Sequence, residues 1–291
     1  MIYILLVIMA TGGVFLTFRA FEKWGIDRFT AIVVNYGVAS TLGWTLAGGV
    51  PMMKNASEMP WFFTTAVMGV GFLYLFNLMA KCTVELGVAV SSISSKLSLV
   101  IPVVVFLILD SNDVITFNKG IALFLALAAI VLSSLGNDSQ HHSNSKWAFA
   151  LPIIIFTGSG AIDLVFAWFS SPEFIPSTEY AMAFTSTPFT VAFFLGSGIW
   201  LFQNGLSKKP ATKDLLAGVL LGVVNFGSLF FLLGAYGIPD IDKSVIIPVV
   251  NIGVVLFSTL SAVVIYKDRP SKIVWSGLVI GCLSIIILML A

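Results

Sequence analysis

Charge is what this sequence has least of. Only 10% of its 291 residues are Asp, Glu, Lys or Arg, against roughly 25% in a soluble domain. Hydrophobic residues make up 58% and mean hydropathy is +1.02, so there is too little polar surface to cover a body standing in water. A formal net charge of +1 creates no field that would draw nucleic acid or an acidic partner. Cysteine is scarce too. Cys82 and Cys282 lie far apart, in or beside apolar runs, and without a Cys-x-x-Cys spacing they read as small hydrophobes, not as a disulfide framework or metal site. His141 and His142 are neighbours on a polar joint, where adjacent side chains converge poorly on one ion. The His-Glu-x-x-His of a metalloprotease is absent, and nothing in the pattern calls for a metal or a cofactor.

Long apolar runs are what is present. They cover 2–19, 28–49, 60–80, 86–108, 118–135, 147–169, 178–202, 213–234, 241–265 and 271–290. Each is close to the ~20 residues that a helix needs to cross hydrocarbon. Continuous helices satisfy every backbone N–H and C=O internally, as that medium demands, and the alternation of a membrane barrel is missing. The first run has the length of a signal peptide but no basic leader, and nine similar runs follow, so it reads as a retained helix. The expected fold is an all-α integral membrane protein of about ten transmembrane helices.

The longest polar joint follows the fifth span. It divides the chain into a first five-helix repeat (1–136), a linker (137–146) and a second five-helix repeat (147–291). An offset of 155 places Ala80 on Ala235, Glu85 on Asp240 and Lys96 on Asn251. A small shift then brings Asn118-Lys-Gly120 over Trp275-Ser-Gly277. Because five is odd, the halves run through the bilayer in opposite senses. That inverted plan is used by secondary transporters whose site lies at the repeat interface near the midplane.

A charge at the bilayer centre costs ~2.5–3.5 kcal/mol on insertion scales, so an intramembrane ionisable residue is a functional candidate by default. Lys96 is the clearest case. It stands ten residues into the fourth span, among Ser94, Ser95 and Ser98 and six before Pro102, too deep to reach either face easily. One role is an ammonium that holds an anionic or carboxylate-bearing substrate; another is a proton carrier. Asp163, after Gly158-Ser-Gly160 in the sixth span, is its expected charge partner or a proton site itself. The plain alternative is an ion pair that only locks two helices. Asn251 follows Pro248 by three residues, where a proline withdraws an N–H from the ladder. Asn35, Asn77 and Asn225 add neutral polar groups at depth, each equally readable as an interhelical hydrogen bond worth about 0.6 kcal/mol. As a set they point to a polar cavity, with Tyr74, Phe72, Phe76, Phe226 and Trp168 as aromatics for its lining. Trp61, Trp147, Trp200 and Trp275 lie near span ends as interfacial belt residues. Gly218-x-x-x-Gly222 and Gly277-x-x-x-Gly281 are small-residue faces that allow close packing, within the chain or against a second copy.

Two five-span halves carrying an apolar run with Pro102, an acidic joint at Asp110 and Gly120, repeated with Lys267-Asp-Arg-Pro270 at the joint and Gly277 beyond, resemble the drug/metabolite transporter superfamily, in particular its EamA-type (RhaT-like) members. The resemblance covers essentially the whole chain. It implies a ten-helix secondary active transporter, of exporter type and with protons as an available coupling ion, that moves a small metabolite or drug by alternating access. It also implies cytoplasmic termini in a multi-pass protein of the inner (plasma) membrane.

The charge distribution implies the other orientation. Joints after odd-numbered spans hold Arg19, Lys23, Arg28, Lys81, Lys146, Lys208, Lys209, Lys213, Lys267, Arg269 and Lys272, whereas those after even-numbered spans hold only Lys54, Lys119 and Lys243. The positive-inside rule then puts odd joints in the cytoplasm and both termini outside. The rival class is an intramembrane enzyme, a prenyl or lipid transferase using Asp110-Ser-Asn-Asp113 to hold a diphosphate through magnesium, but no second cluster of that form accompanies it. A passive channel would need a polar stripe along several helices, and the polar residues here gather near the middle. The expected partners are therefore the lipid bilayer, a small-molecule substrate and protons, with monomer and homodimer both open.

Overall fold

Helix is the only local structure that leaves no backbone donor unpaired in an apolar run. The computed structural model describes residues 1–86, 94–109, 116–135, 150–205, 209–239, 241–267 and 270–290, and among these there are helices and turns and no strand. In chain order the helices are α1 (Ile2–Trp24), α2 (Arg28–Leu46), α3 (Val50–Ser57), α4 (Phe62–Leu86), α5 (Val100–Leu109), α6 (Phe117–Leu135), α7 (Ala150–Trp168), α8 (Thr178–Asn204), α9 (Thr212–Tyr236), α10 (Lys243–Tyr266) and α11 (Lys272–Leu290). Five of them, α2, α7, α8, α9 and α10, are long and apolar enough to cross a membrane. Five further apolar stretches, Ile2–Phe18, Phe62–Leu75, Ser94–Leu109, Phe117–Leu132 and Lys272–Leu288, are shorter among the described residues.

Two features depart from the sequence reading. The joint after the second span is itself helical: α3 buries Met52 and Ala56, with Pro51 near its start, where a missing N–H costs nothing. The fourth span is not one continuous helix. Helical residues 94–97 give way to a turn at 98–99 before α5 begins. Pro102 has no N–H to return to the Ser98 carbonyl. That carbonyl accepts from Ile101 N instead, at 3.0 Å, and Leu99 N reaches Lys96 O at 3.4 Å, before Val103 N to Leu99 O restores the ordinary spacing.

The chain forms two compact units, each drawing on both halves of the sequence. One comprises Met1–Tyr74 and Trp168–Gly237, the other Leu75–Ala167 and Ile238–Ala291. In the first, α9 packs on α1, α2 and α8, and α8 packs on α2 and α3. Contacts along their lengths fix the directions. Gly25, Gly13 and Gly234 of the α1–α9 pair lie against Lys213, Val224 and Tyr3 in turn, so α1 and α9 are antiparallel. Trp200 donates to Thr30 Oγ1 and Trp44 to Thr190 Oγ1, which makes α2 and α8 antiparallel as well. Asp214 meets Asp27 at the head of α2, and Gly218 and Gly222 meet Ala31 and Asn35 further along, so α2 and α9 are parallel.

In the second unit, α11 packs on α6 and on α10, and α10 packs on α5 and α6. Ser284 donates to Ala122 O at 2.7 Å, while Gly281 lies beside Ala129, so α6 and α11 are antiparallel. Phe106 sits under Lys243, and Lys96 reaches Asn251, so the residue 94–109 stretch and α10 are antiparallel too.

The small-residue faces serve packing within the chain. A methyl group at Gly222 would lie 2.7 Å from Val38 Cβ and 2.8 Å from Asn35 O, and one at Gly281 2.8 Å from Ile252. Each glycine lets a neighbouring backbone approach as closely as a helix pair allows. Gly222→Val should therefore lower stability by about 1–3 kcal/mol, the range for overpacking. By contrast, Gly198→Ala, which meets open space on α8, should be neutral or gain up to ~1 kcal/mol from helix propensity. Unfolding midpoints in detergent check both; a Gly222→Val midpoint equal to that of the wild type would contradict this packing account.

Candidate functional site

The site is built in the second unit on three stretches. Gly160 brings α7 down onto Ile101 of α5, and Gly158 fits against Leu75. Lys243, the first residue of α10, donates to Ala167 O at the end of α7 at 2.6 Å and stands 5.2 Å over the Phe106 ring of α5. These ties draw together the segments that carry Lys96, Asp163 and Asn251. Lys96 Nζ donates to Asn251 Oδ1 at 3.5 Å. Asn251 spends its own Nδ2 on Ile247 O at 3.0 Å, which leaves the amide oxygen turned to the ammonium. Asp163 is the carboxylate whose charge acts on Lys96, and the effect is mutual. All three side chains are partly buried. Asn251 lies eight residues into α10, about 12 Å along it at 1.5 Å per residue, near half the ~30 Å hydrocarbon thickness.

Lys96 also sits where its helix is interrupted. Its carbonyl accepts a long bond from Leu99, and the Ser98 hydroxyl turns back to Ser95 O. Ser94 and Ser98 are buried beside it. A cation, a carboxylate, an amide and an irregular turn of backbone thus share one neighbourhood on an otherwise apolar set of helices. Chemically this arrangement offers an ammonium at Lys96, a carboxylate at Asp163 and an amide at Asn251.

Most of the other expected site residues belong to the first unit. Asn35 and Asn225 meet in the first unit, where Asn225 Nδ2 donates to Asn35 Oδ1 at 3.1 Å; Asn35 also reaches Ile32 O at 3.4 Å, so the pair reads as a bond between α2 and α9. Tyr74 is 66% exposed on α4. Asn77 is on α4, and its side chain, like that of Phe76, is outside those described. Phe72 is buried against Phe189, and Phe226 against Phe230, so both are packing residues. Trp168 is 43% exposed. Trp61 does stand at a span end, but turned inward: fully buried, it donates to Phe174 O at 2.9 Å and packs on Phe184. The linker with His141 and His142, Trp147, the Asp110–Asp113 motif and Asp240 lie outside the described residues.

Sequence reasoning missed one ionic group. Lys119, 3% exposed in the first turn of α6, is 2.8 Å from Asp242, which precedes α10. By sequence Lys119 counts among the joint cations, and Asp242 stands in the same kind of polar joint ahead of an apolar run. The usable signal was parity, since in a ten-span reading the heads of the fifth and ninth spans would fall on one side. A second missed cluster ties α2 to α8: the Thr190 hydroxyl meets Ser40 Oγ at 2.7 Å, accepts from Trp44 Nε1 at 2.8 Å and donates to Ser186 O.

No family model matches this chain. An uncharacterised protein of Haemophilus influenzae is 26% identical over 214 residues, 72% of this chain and 69% of that protein. A solved crystal structure matches 99% of this chain and 96% of its own with a TM-score of 0.69 at 14% identity, a likeness of fold alone.

Because Lys119 is the buried partner and Asp242 is half-exposed, the two truncations are unequal. Asp242→Asn, which withdraws the anion from a buried ammonium, should destabilise by about 1–3 kcal/mol. Lys119→Met, which removes the buried charge itself, should cost less. Thermal unfolding of the two variants and of the double variant measures the difference; equal losses would contradict the pairing.

Proposed function

We propose that the chain is a multi-pass secondary active transporter that exports a small metabolite or drug by alternating access, with protons as its coupling ion. The observation that carries this reading is the Lys96–Asn251 contact, with the charge of Asp163 beside it, at a break in an apolar helix. Interrupted helices that expose backbone polar groups near the midplane are how carriers of this kind hold ions and substrates. A helix bundle that served only as a scaffold would gain nothing from an ammonium whose insertion costs ~2.5–3.5 kcal/mol.

Two further observations support ten crossings arranged as inverted repeats. Wherever contacts fix direction, spans an odd number apart run antiparallel and spans an even number apart run parallel, as successive crossings require. Three packed pairs, α2 with α8, the residue 94–109 stretch with α10, and α6 with α11, each join a span to the one five later. Lys96 and Asn251 are matched by the 155-residue offset and touch each other, as mates beside a two-fold axis would. The family resemblance to EamA-type drug/metabolite transporters points the same way.

In this reading Lys96 receives the anionic group of the cargo, Asp163 takes up the proton, and Asn251 orients the ammonium. Removing a charged hydrogen bond of about 1.5–3 kcal/mol should slow transport roughly ten- to a hundredfold. The check is proton-gradient-driven flux of a panel of labelled carboxylate-bearing metabolites and drugs into vesicles containing wild type, Lys96→Ala or Lys96→Met. Near-normal flux in both variants would overturn the role of Lys96. A wild-type protein that moves nothing in the panel, with or without the gradient, would count against a carrier.

A further inference from the structure

The first compact unit has one strongly basic end. The antiparallel and parallel contacts described above place the C-terminus of α1, the N-terminus of α2, the C-terminus of α8 and the N-terminus of α9 together. Lys23, Arg28, Lys209 and Lys213 gather there, all exposed. Of the acids at this end whose side chains are described, both are committed to backbone: Asp27 caps α2 by accepting from Thr30 N at 2.8 Å, and Asp214, 6% exposed, accepts from Asp27 N at 2.9 Å. Lys213 closes the corner by donating to Gly25 O at 2.6 Å and Trp24 O at 3.3 Å. Gly25 holds the turn in the left-handed region, with φ 58°, which brings those carbonyls round to the ammonium. At the other end of the same unit, Glu58, Glu173 and Glu179 are exposed, with Lys54 as the cation among the described side chains. The charge polarity therefore belongs to the folded unit and not to composition, since the whole chain is nearly neutral.

The basic end also carries exposed apolar and aromatic surface. Trp24 is 62% exposed, Phe202 93% and Leu216 66%. Rings and aliphatic side chains at the level of lysines and an arginine match the composition of a lipid headgroup zone, where aromatics sit at the interface and basic groups meet phosphate. We propose that this end of the unit, centred on the Trp24–Gly25–Lys213 corner with Lys23, Arg28 and Lys209, is a binding surface for anionic phospholipid headgroups. Arg28 offers a planar fork for a phosphate diester, while the lysines act as point charges. Trp24 and Phe202 lie against the acyl-chain boundary. The proposal rests on the membrane reading alone and not on transport, so it stands or falls whatever the chain carries.

The test uses the full chain reconstituted in equal parts of phosphatidylcholine and phosphatidylglycerol, then extracted in mild detergent, with the retained lipids quantified by mass spectrometry. Wild type should keep phosphatidylglycerol over phosphatidylcholine by roughly tenfold, and the preference should shrink in molar salt, where the screening length falls to about 3 Å. The triple variant Lys23→Gln/Arg28→Gln/Lys209→Gln spares the Lys213 corner and should bring the ratio close to even. Glu173→Gln/Glu179→Gln, at the other end, should leave it unchanged. If the triple variant does not fold, the single Lys209→Gln, in the coil before α9, should still lower the ratio. An even ratio in wild type, an undiminished one in the basic-end variants, or displacement of the lipid by soluble glycerol phosphate would each overturn the proposal.

Discussion

The constraint on which the rest of the structure depends is that long apolar runs must pair their own backbone groups, as a solvent that offers no hydrogen bonds would demand. In hydrocarbon an unpaired backbone group costs several kcal/mol, so the apolar runs take up helix, and each departure from helix must be compensated locally. The departure that matters most is at residues 98–99. Pro102 withdraws a donor, the Ser98 carbonyl turns to Ile101, and the Ser98 hydroxyl turns to Ser95. Irregular backbone thus lies next to Lys96. The ammonium, the amide of Asn251 and the charge of Asp163 then share an environment in which each is worth more than it would be in water. The glycines set how closely this group is drawn in. Gly158 and Gly160 let α7 approach Leu75 and Ile101, and Gly281 lets α11 approach Ile252 on the Asn251 helix.

The sequence carried much of this. The helical class follows from composition and run length. The Lys96–Asn251 relation was legible because a charge stands out in an apolar run and because one offset aligned the two halves. What stayed hidden has identifiable causes. The α3 segment reads as a polar joint because eight residues with two inward positions give almost no periodic signal. The break at 98–99 was masked by an apolar pattern that continues straight through it. Trp61 was placed at a span end, but whether a tryptophan faces lipid or its own fold depends on a partner carbonyl over a hundred residues away. Lys119 and Asp242 looked like two solvated charges, since nothing local tells a buried lysine from an exposed one at the head of a helix. Nor does sequence order foretell the compact units, which cut across the two halves.

Polar groups divide by the work they do. Asn35 with Asn225, and Thr190 with Ser40 and Trp44, join helices within the first unit. Lys119 with Asp242 and Lys243 with Ala167 tie helix ends in the second. The Lys96 group differs from these in its place: Lys96 stands at a backbone break inside an apolar stretch, and its partner Asn251 lies eight residues into α10.

The most direct measurement is side-selective labelling beside that group. In a chain carrying Cys82→Ala and Cys282→Ser, a cysteine introduced by Ser98→Cys leaves Lys96 in place. If the group forms the centre of an alternating-access carrier, a membrane-impermeant thiol reagent will reach it from each face of oriented vesicles in turn, with the balance shifting when a proton gradient is imposed. A folded protein whose residue 98 reacts from neither face, or from one face alone under every gradient, would contradict that account.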